Sequence, residues 1–157
     1  MKKILILVSF AICITLIYSC HKDSKLVPAD YSFTASKNGV DWGAQGNTSS
    51  IQGDSLRLTA LTATGDEQFY INIKFNGNGV YQLTGKQAAF FTAVGSLATS
   101  YKLDFTRNSS ITIKSYSTQT HIISGTFELN LIKDSNNPNE YVPLQFNNGI
   151  FRVKLPD

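Results

Sequence analysis

EQFYINIKF, residues 67–75, decides the fold. Phe69, Ile71, Ile73 and Phe75 fall on one side of an extended chain, and Tyr70, Asn72 and Lys74 on the other. Successive side chains of a strand point to opposite faces, so this alternation describes a strand with one face buried and one in water. GTFELNLI (125–132) repeats it, opposing Phe127, Leu129 and Leu131 to Thr126, Glu128 and Asn130. GIFRVKLP (149–156) sets Phe151, Val153 and Leu155 against Arg152 and Lys154. The same reading predicts strands at Tyr31–Ser36, Asp41–Ala44, Ser55–Thr62, Val80–Leu83, Tyr101–Thr106, Ser110–Tyr116 and Tyr141–Phe146.

Turn residues sit where such strands must end. Asn38-Gly39 separates FTAS from VDWGA, the strongest short-range hairpin signal because glycine accepts positive φ. Asn76-Gly77-Asn78-Gly79 divides two further strands, and Asp134–Asn139, with Pro138, makes a longer loop. GKQAAFFTAVGSLATS (85–100) fits neither pattern cleanly. Phe90 and Phe91 cannot share a face of one strand, and the alanines suit a short helix, so an irregular crossover or lid is expected. About ten short strands without a sustained helical period predict an all-β antiparallel sandwich, with a partly closed barrel as the alternative.

Ahead of this domain, Met1-Lys2-Lys3 is basic and Ile4–Tyr18 almost wholly apolar. The run is shorter than the roughly 20 residues a spanning helix needs. It stops at CITLIYSCHKDSK (13–25), where a small residue, Ser19, precedes Cys20. A basic start, a short apolar stretch and a small residue at the break describe a secretory signal peptide, cleaved between Ser19 and Cys20. Ile17-Tyr18-Ser19-Cys20 resembles the lipobox of bacterial lipoproteins, which implies a diacylated Cys20 as the new N-terminus. Cys13 leaves with the leader, so no disulfide can form in the exported domain. An exposed thiol in an oxidising compartment is a liability unless modified. Acylation removes it, each buried CH₂ contributing about 0.8 kcal/mol to anchoring. Expected boundaries are a signal peptide at 1–19, acylated cysteine and tether at 20–30, and the β domain at 31–157. Lys22-Asp23 resembles in part the surface-export signal of Bacteroidota lipoproteins; an ordinary solvated tether is the alternative.

The order of features is similar to a family of small Bacteroidota cell-envelope lipoproteins of uncharacterised function. FTASKNGVDWGA (33–44), GVYQLTG (79–85), SSITIKSYSTQTHIISGTFELNL (109–131) and VPLQFNNGIFRV (142–153) carry the resemblance. It implies a lipid-anchored β-rich domain in the outer membrane, its face undecided, and supplies no catalytic residues.

Composition narrows the functions further. Without the leader 138 of the 157 residues remain and the net charge falls from +3 to +1, since Lys2 and Lys3 leave. One domain of this size buries a core without staples. No run of Lys or Arg tracks phosphates, so nucleic acid is not an expected partner. His21 belongs to the tether and His121 stands alone, and a metal cage needs several ligands. Asp66-Glu67 is the one adjacent acid pair, in an apparent turn, whereas glycosidase acids flank a cleft roughly 5–10 Å wide. The expectation is a non-enzymatic module without cofactor or metal, anchored to the membrane by its acyl chains. Its ligand is a glycan or a protein; the rival readings are an accessory or structural subunit of an envelope assembly and, behind that, an enzyme with an unrecognised site. Trp42 and Tyr70 are the candidate ligand-binding residues. Trp42 is in phase with Val40 and Ala44, which favours the core, whereas Tyr70 is out of phase with its strand's apolar face.

The anchor can be tested directly. In detergent phase partitioning the wild-type protein is expected to follow the detergent and Cys20→Ser the water. Globomycin, which blocks lipoprotein signal cleavage, is expected to accumulate the longer precursor. Membrane retention of Cys20→Ser would rule the anchor out.

Overall fold

The computed structural model describes residues 32–46, 48–137 and 139–156; the leader, Cys20 and the tether lie outside them. Eleven strands run through the described residues. They are β1 (Ser32–Lys37), β2 (Val40–Gln45), β3 (Ser50–Gln52), β4 (Ser55–Leu61), β5 (Glu67–Lys74), β6 (Gly79–Gln82), β7 (Ala88–Val94), β8 (Leu97–Leu103), β9 (Ser110–Tyr116), β10 (Ile122–Lys133) and β11 (Pro143–Lys154). Neighbours run in the order β11-β1-β2-β4-β5-β7-β8-β10, and β10 returns to β11. All these pairings are antiparallel, so the sheet closes on itself as an eight-stranded barrel. Of the two arrangements that period-two alternation allowed, the chain takes the barrel. β3 lies beside β4, while β9 and β6 form a flap on β10.

Three local features differ from expectation. Residues 85–100 are neither crossover nor lid: after a turn at 85–87 they enter the β7–β8 hairpin, which turns at Gly95 with φ +62°. Phe90 points in and Phe91 out, so the adjacency that argued against a strand is ordinary alternation. The strands expected at 141–146 and 149–156 are one strand, β11, bulged where Asn147-Asn148 oppose Glu128 alone. Asn148, at φ +54°, supplies the left-handed turn such a bulge uses. β8 ends at Leu103, short of the expected Thr106.

The barrel interior is filled by side chains. Phe33, Phe69, Phe90, Phe127, Phe146 and Phe151 are each at most 2% exposed. Trp42 stacks on Phe69 at 5.3 Å between ring centroids and meets Phe146 edge-on at 5.1 Å. Phe33 meets Phe69 edge-on at 5.2 Å. Such pairs each contribute about 0.5–1.5 kcal/mol beyond their buried area. Three glycines make room for this crowd, and a Cβ on Gly46 would lie 2.3 Å from the Phe33 ring. A Cβ on Gly125 would lie 1.9 Å from the Thr112 carbonyl oxygen, and one on Gly149 2.6 Å from the Phe127 ring. Ile111 and Ile113 of β9 are buried as well, so the flap packs its inner face onto the same core.

Closure leaves two seams where a strand loses its neighbour. β2 meets β4 only at Gln45 and Leu61, and β3 takes the Ser55–Arg57 end of β4. Between them, Thr59 bonds to a side chain: its N–H donates to Ser49 Oγ (2.9 Å), which donates to its carbonyl (3.3 Å). β10 pairs with β9 up to Glu128 and with β8 from Leu131. In the gap, the Asn130 N–H donates to Ser109 Oγ (2.8 Å), and Ser109 Oγ donates to the Asn130 carbonyl (3.4 Å). A hydroxyl both donates and accepts, so one serine stands in for a missing strand residue. The buried polar residues among those described are Ser49, Thr59, Asp104 and Ser109, and all lie at these seams. Ser49→Ala or Ser109→Ala strands a buried N–H and is expected to lower stability by about 1–3 kcal/mol. Ser55→Ala, on the exposed start of β4, should stay within about 0.5 kcal/mol. Urea unfolding followed by fluorescence of Trp42, the single tryptophan, measures both. Equal losses at all three positions would refute the seam role.

Candidate functional site

With the interior filled, an aromatic-lined concavity lies on the outer wall. On β5, β7 and β8 the pairing sets Tyr70 beside Ala89 and Ala89 beside Lys102, all on the outward face. Phe91 lies two residues along from Ala89, diagonally across from Tyr70, within reach of an aromatic ring. The two rings stack at 6.0 Å between centroids and 26° between planes. Ala89 is small, so the wall dips between larger neighbours. The dip is an open groove of about 480 Å³ lined by Tyr70, Ala89, Phe91, Phe105, Lys86 and Ser100 among others. Phe91 is 42% and Phe105 70% exposed. Lys102 and Asp134 pair at the rim at 2.7 Å. Outside the groove, the Arg57 guanidinium sits over the Tyr70 ring, 5.4 Å from its centroid, and braces it by a cation–π contact.

The two candidate residues part company here. Tyr70 is half-buried and lines the groove. Trp42 is 7% exposed, packed among phenylalanines, with Nε1–H donating to Glu67 Oε2 at 2.7 Å. It belongs to the core, as its phase with Ala44 suggested; Val40, also in phase, sits exposed at the hairpin. Phe91 and Phe105 are the residues that sequence reasoning missed. The Phe90-Phe91 adjacency held the signal for one of them, since in a strand one of the pair must face out. Phe105 fell within an expected strand that stops two residues earlier.

The acid pair Asp66-Glu67 is divided between two tasks. Asp66 Oδ1 accepts from Thr64 Oγ1 and from Thr62 Oγ1 at 2.9 Å, and these bonds bring its carboxyl below its ordinary value. Glu67 turns toward Trp42 and Lys37. His121 closes the turn before β10 at φ +55°, its carbonyl accepting from the Leu155 N–H at 2.8 Å. Among the described residues, no three His, Cys, Asp or Glu side chains gather as a metal site would require.

Phe105 is held at the groove by a buried carboxylate. Asp104 Oδ1 accepts from the Thr106 N–H (2.9 Å) and Oγ1 (2.6 Å), and Oδ2 from the Tyr141 hydroxyl (2.9 Å). Burial is the largest single influence and pushes the Asp104 carboxyl up. The bonds from Thr106 and Tyr141, with the charge of Arg107, outweigh it and bring the group below its ordinary value. The bond to Asp104, then burial and the Asp104 charge, push the Tyr141 hydroxyl up.

A family model described as a domain of unknown function (DUF6252) matches residues 29–156. No curated protein and no solved structure matches the chain.

A carboxyl lowered in the folded state adds stability above its ordinary pKa of about 3.9, lost as pH falls through the folded value. Tyr141 works the other way: its contribution is present below the ordinary tyrosine pKa of about 10 and lost as pH rises through the folded one. Urea midpoints across acid pH are therefore expected to separate wild type from Asp104→Asn near neutrality and to converge on acidification. A gap that does not change with pH would rule the linkage out.

Proposed function

The chain belongs to the DUF6252 family, whose function is unknown, and from that premise we propose a lipid-anchored, non-enzymatic binding module of the bacterial cell envelope. Its binding surface is the aromatic groove on the barrel wall. The observation that carries the reading is the contrast between a barrel packed solid with phenylalanine and an outer wall that spends Phe91 and Phe105 on solvent. Exposed aromatic rings in a concavity with polar groups at its rim are what small ligand sites are made of.

The leader supports the setting. An apolar run ending at Ser19-Cys20 describes a lipoprotein, and the resemblance to Bacteroidota lipoproteins extends that to the outer membrane, with the protein facing the periplasm or the cell surface. The division of Asp66 and Glu67 between separate partners supports a role in binding rather than hydrolysis. A net charge of +1 after loss of the leader makes nucleic acid a poor partner.

Site-specific photo-cross-linking in intact native cells tests the surface. A benzophenone side chain at position 105 is expected to return adducts that the same group at Val80, exposed on β6, does not. Absence of adducts from position 105, or equal labelling from both positions, would sink the groove as binding surface. One abundant protein captured from both positions would make the chain an accessory subunit of an assembly.

A further inference from the structure

We propose that the groove between Tyr70, Phe91 and Phe105 binds an acidic oligosaccharide, an inference that rests on the binding-module reading above. The floor excludes one class of ligand. β5, β7 and β8 pair continuously beneath the groove, so their backbone groups are occupied and no peptide can add as a strand. Recognition must then use side chains, and these are of two types. Phe91 and Phe105 offer ring faces, which carry the negative side of the aromatic quadrupole, and Tyr70, held between Arg57 and Phe91, backs the Phe91 ring. The C–H bonds on one face of a sugar ring are weakly positive and apolar, and they complement such plates. Sugar hydroxyls project from the ring edge and need polar partners, which Ser100, Lys86 and Asp134 supply around the rim.

Charge decides which sugars. The groove is lined by two lysines, Lys86 and Lys102, and one carboxylate, Asp134. Asp134 is already paired with Lys102 at 2.7 Å. Lys86 is exposed and has no carboxylate partner among the described residues. Arg57 adds a further cation on the far side of Tyr70. A site with aromatic plates and a cation not paired with a carboxylate matches a ligand with apolar ring faces and an anionic group, which is a uronate or sulfated glycan. A neutral glycan would leave Lys86 without a partner.

The experiment is calorimetric titration of the full-length protein in detergent micelles. The probes are a short oligogalacturonate, its methyl ester and a heparin-derived oligosaccharide. At least one acidic probe is expected to bind, more weakly as salt is raised because the ion pairs are screened. For oligogalacturonate, methyl esterification or Lys86→Gln should each weaken binding by about tenfold, and Phe91→Ala by at least that much. Phe91 and Lys86 face outward, so unchanged Trp42 fluorescence certifies that both variants fold. If neither acidic probe binds, if the ester binds as well as the acid, or if Phe91→Ala loses nothing, the proposal falls. Failure here with position-105 adducts intact would remove the acidic glycan and leave the binding module; failure of both would remove both.

Discussion

The structure depends on satisfying the backbone where a closed sheet also has to branch. In a regular barrel every N–H and C=O finds the next strand, and no edge is left. This barrel carries an extra strand on β4 and a two-stranded flap on β10, so at two places one strand gives way to another and a residue falls between. Thr59 and Asn130 are those residues, and Ser49 and Ser109 each answer with one hydroxyl. A buried N–H without a partner costs more than an ordinary hydrogen bond contributes, so the branching is tolerable only with such plugs. The Asp104 N–H also donates to the Asn130 carbonyl, at 2.9 Å. The second seam therefore sets where Asp104 lies, and with it the loop that carries Phe105 to the groove.

Packing and surface are coupled through the same strands. Each residue sent inward to the phenylalanine cluster places its neighbour on the outer wall. Phe90 in the core and Phe91 in the groove are two consequences of one extended chain. Filling the interior with large rings requires Gly46, Gly125 and Gly149 where strands and rings approach closely. It also removes the usual place for a ligand in a small barrel, and the groove proposed for binding lies on the wall instead.

Much of this was legible in the chain. Period-two alternation found β5, β10 and the second half of β11, and Asn38-Gly39 marked a hairpin whose residues adopt φ of +49° and +85°. Alternation says which face of a strand is buried but not which strand lies beside it, so sandwich and barrel share one signature. The choice between them rests on β1 meeting β11 and β10 meeting β8, pairings between residues far apart in sequence. The seam serines were illegible for the same reason: nothing local distinguishes Ser49 or Ser109 from serines in water. Tyr70 was legible because it breaks its strand's apolar phase. Trp42 kept phase with Ala44 and went inside, and Phe105 was hidden by a misplaced strand end.

The pairing of β1 with β11 has a consequence for when the barrel can close. A polypeptide emerging N-terminus first can form the β1–β2 hairpin early, but the other edge of β1 stays open until the last strand arrives. β10 waits for β11 as well, along nearly its whole length. Contacts of such sequence separation are slow to form. The barrel therefore cannot close before β11 is in place, and its closure is the joining of the strand earliest in the barrel to the one latest in it.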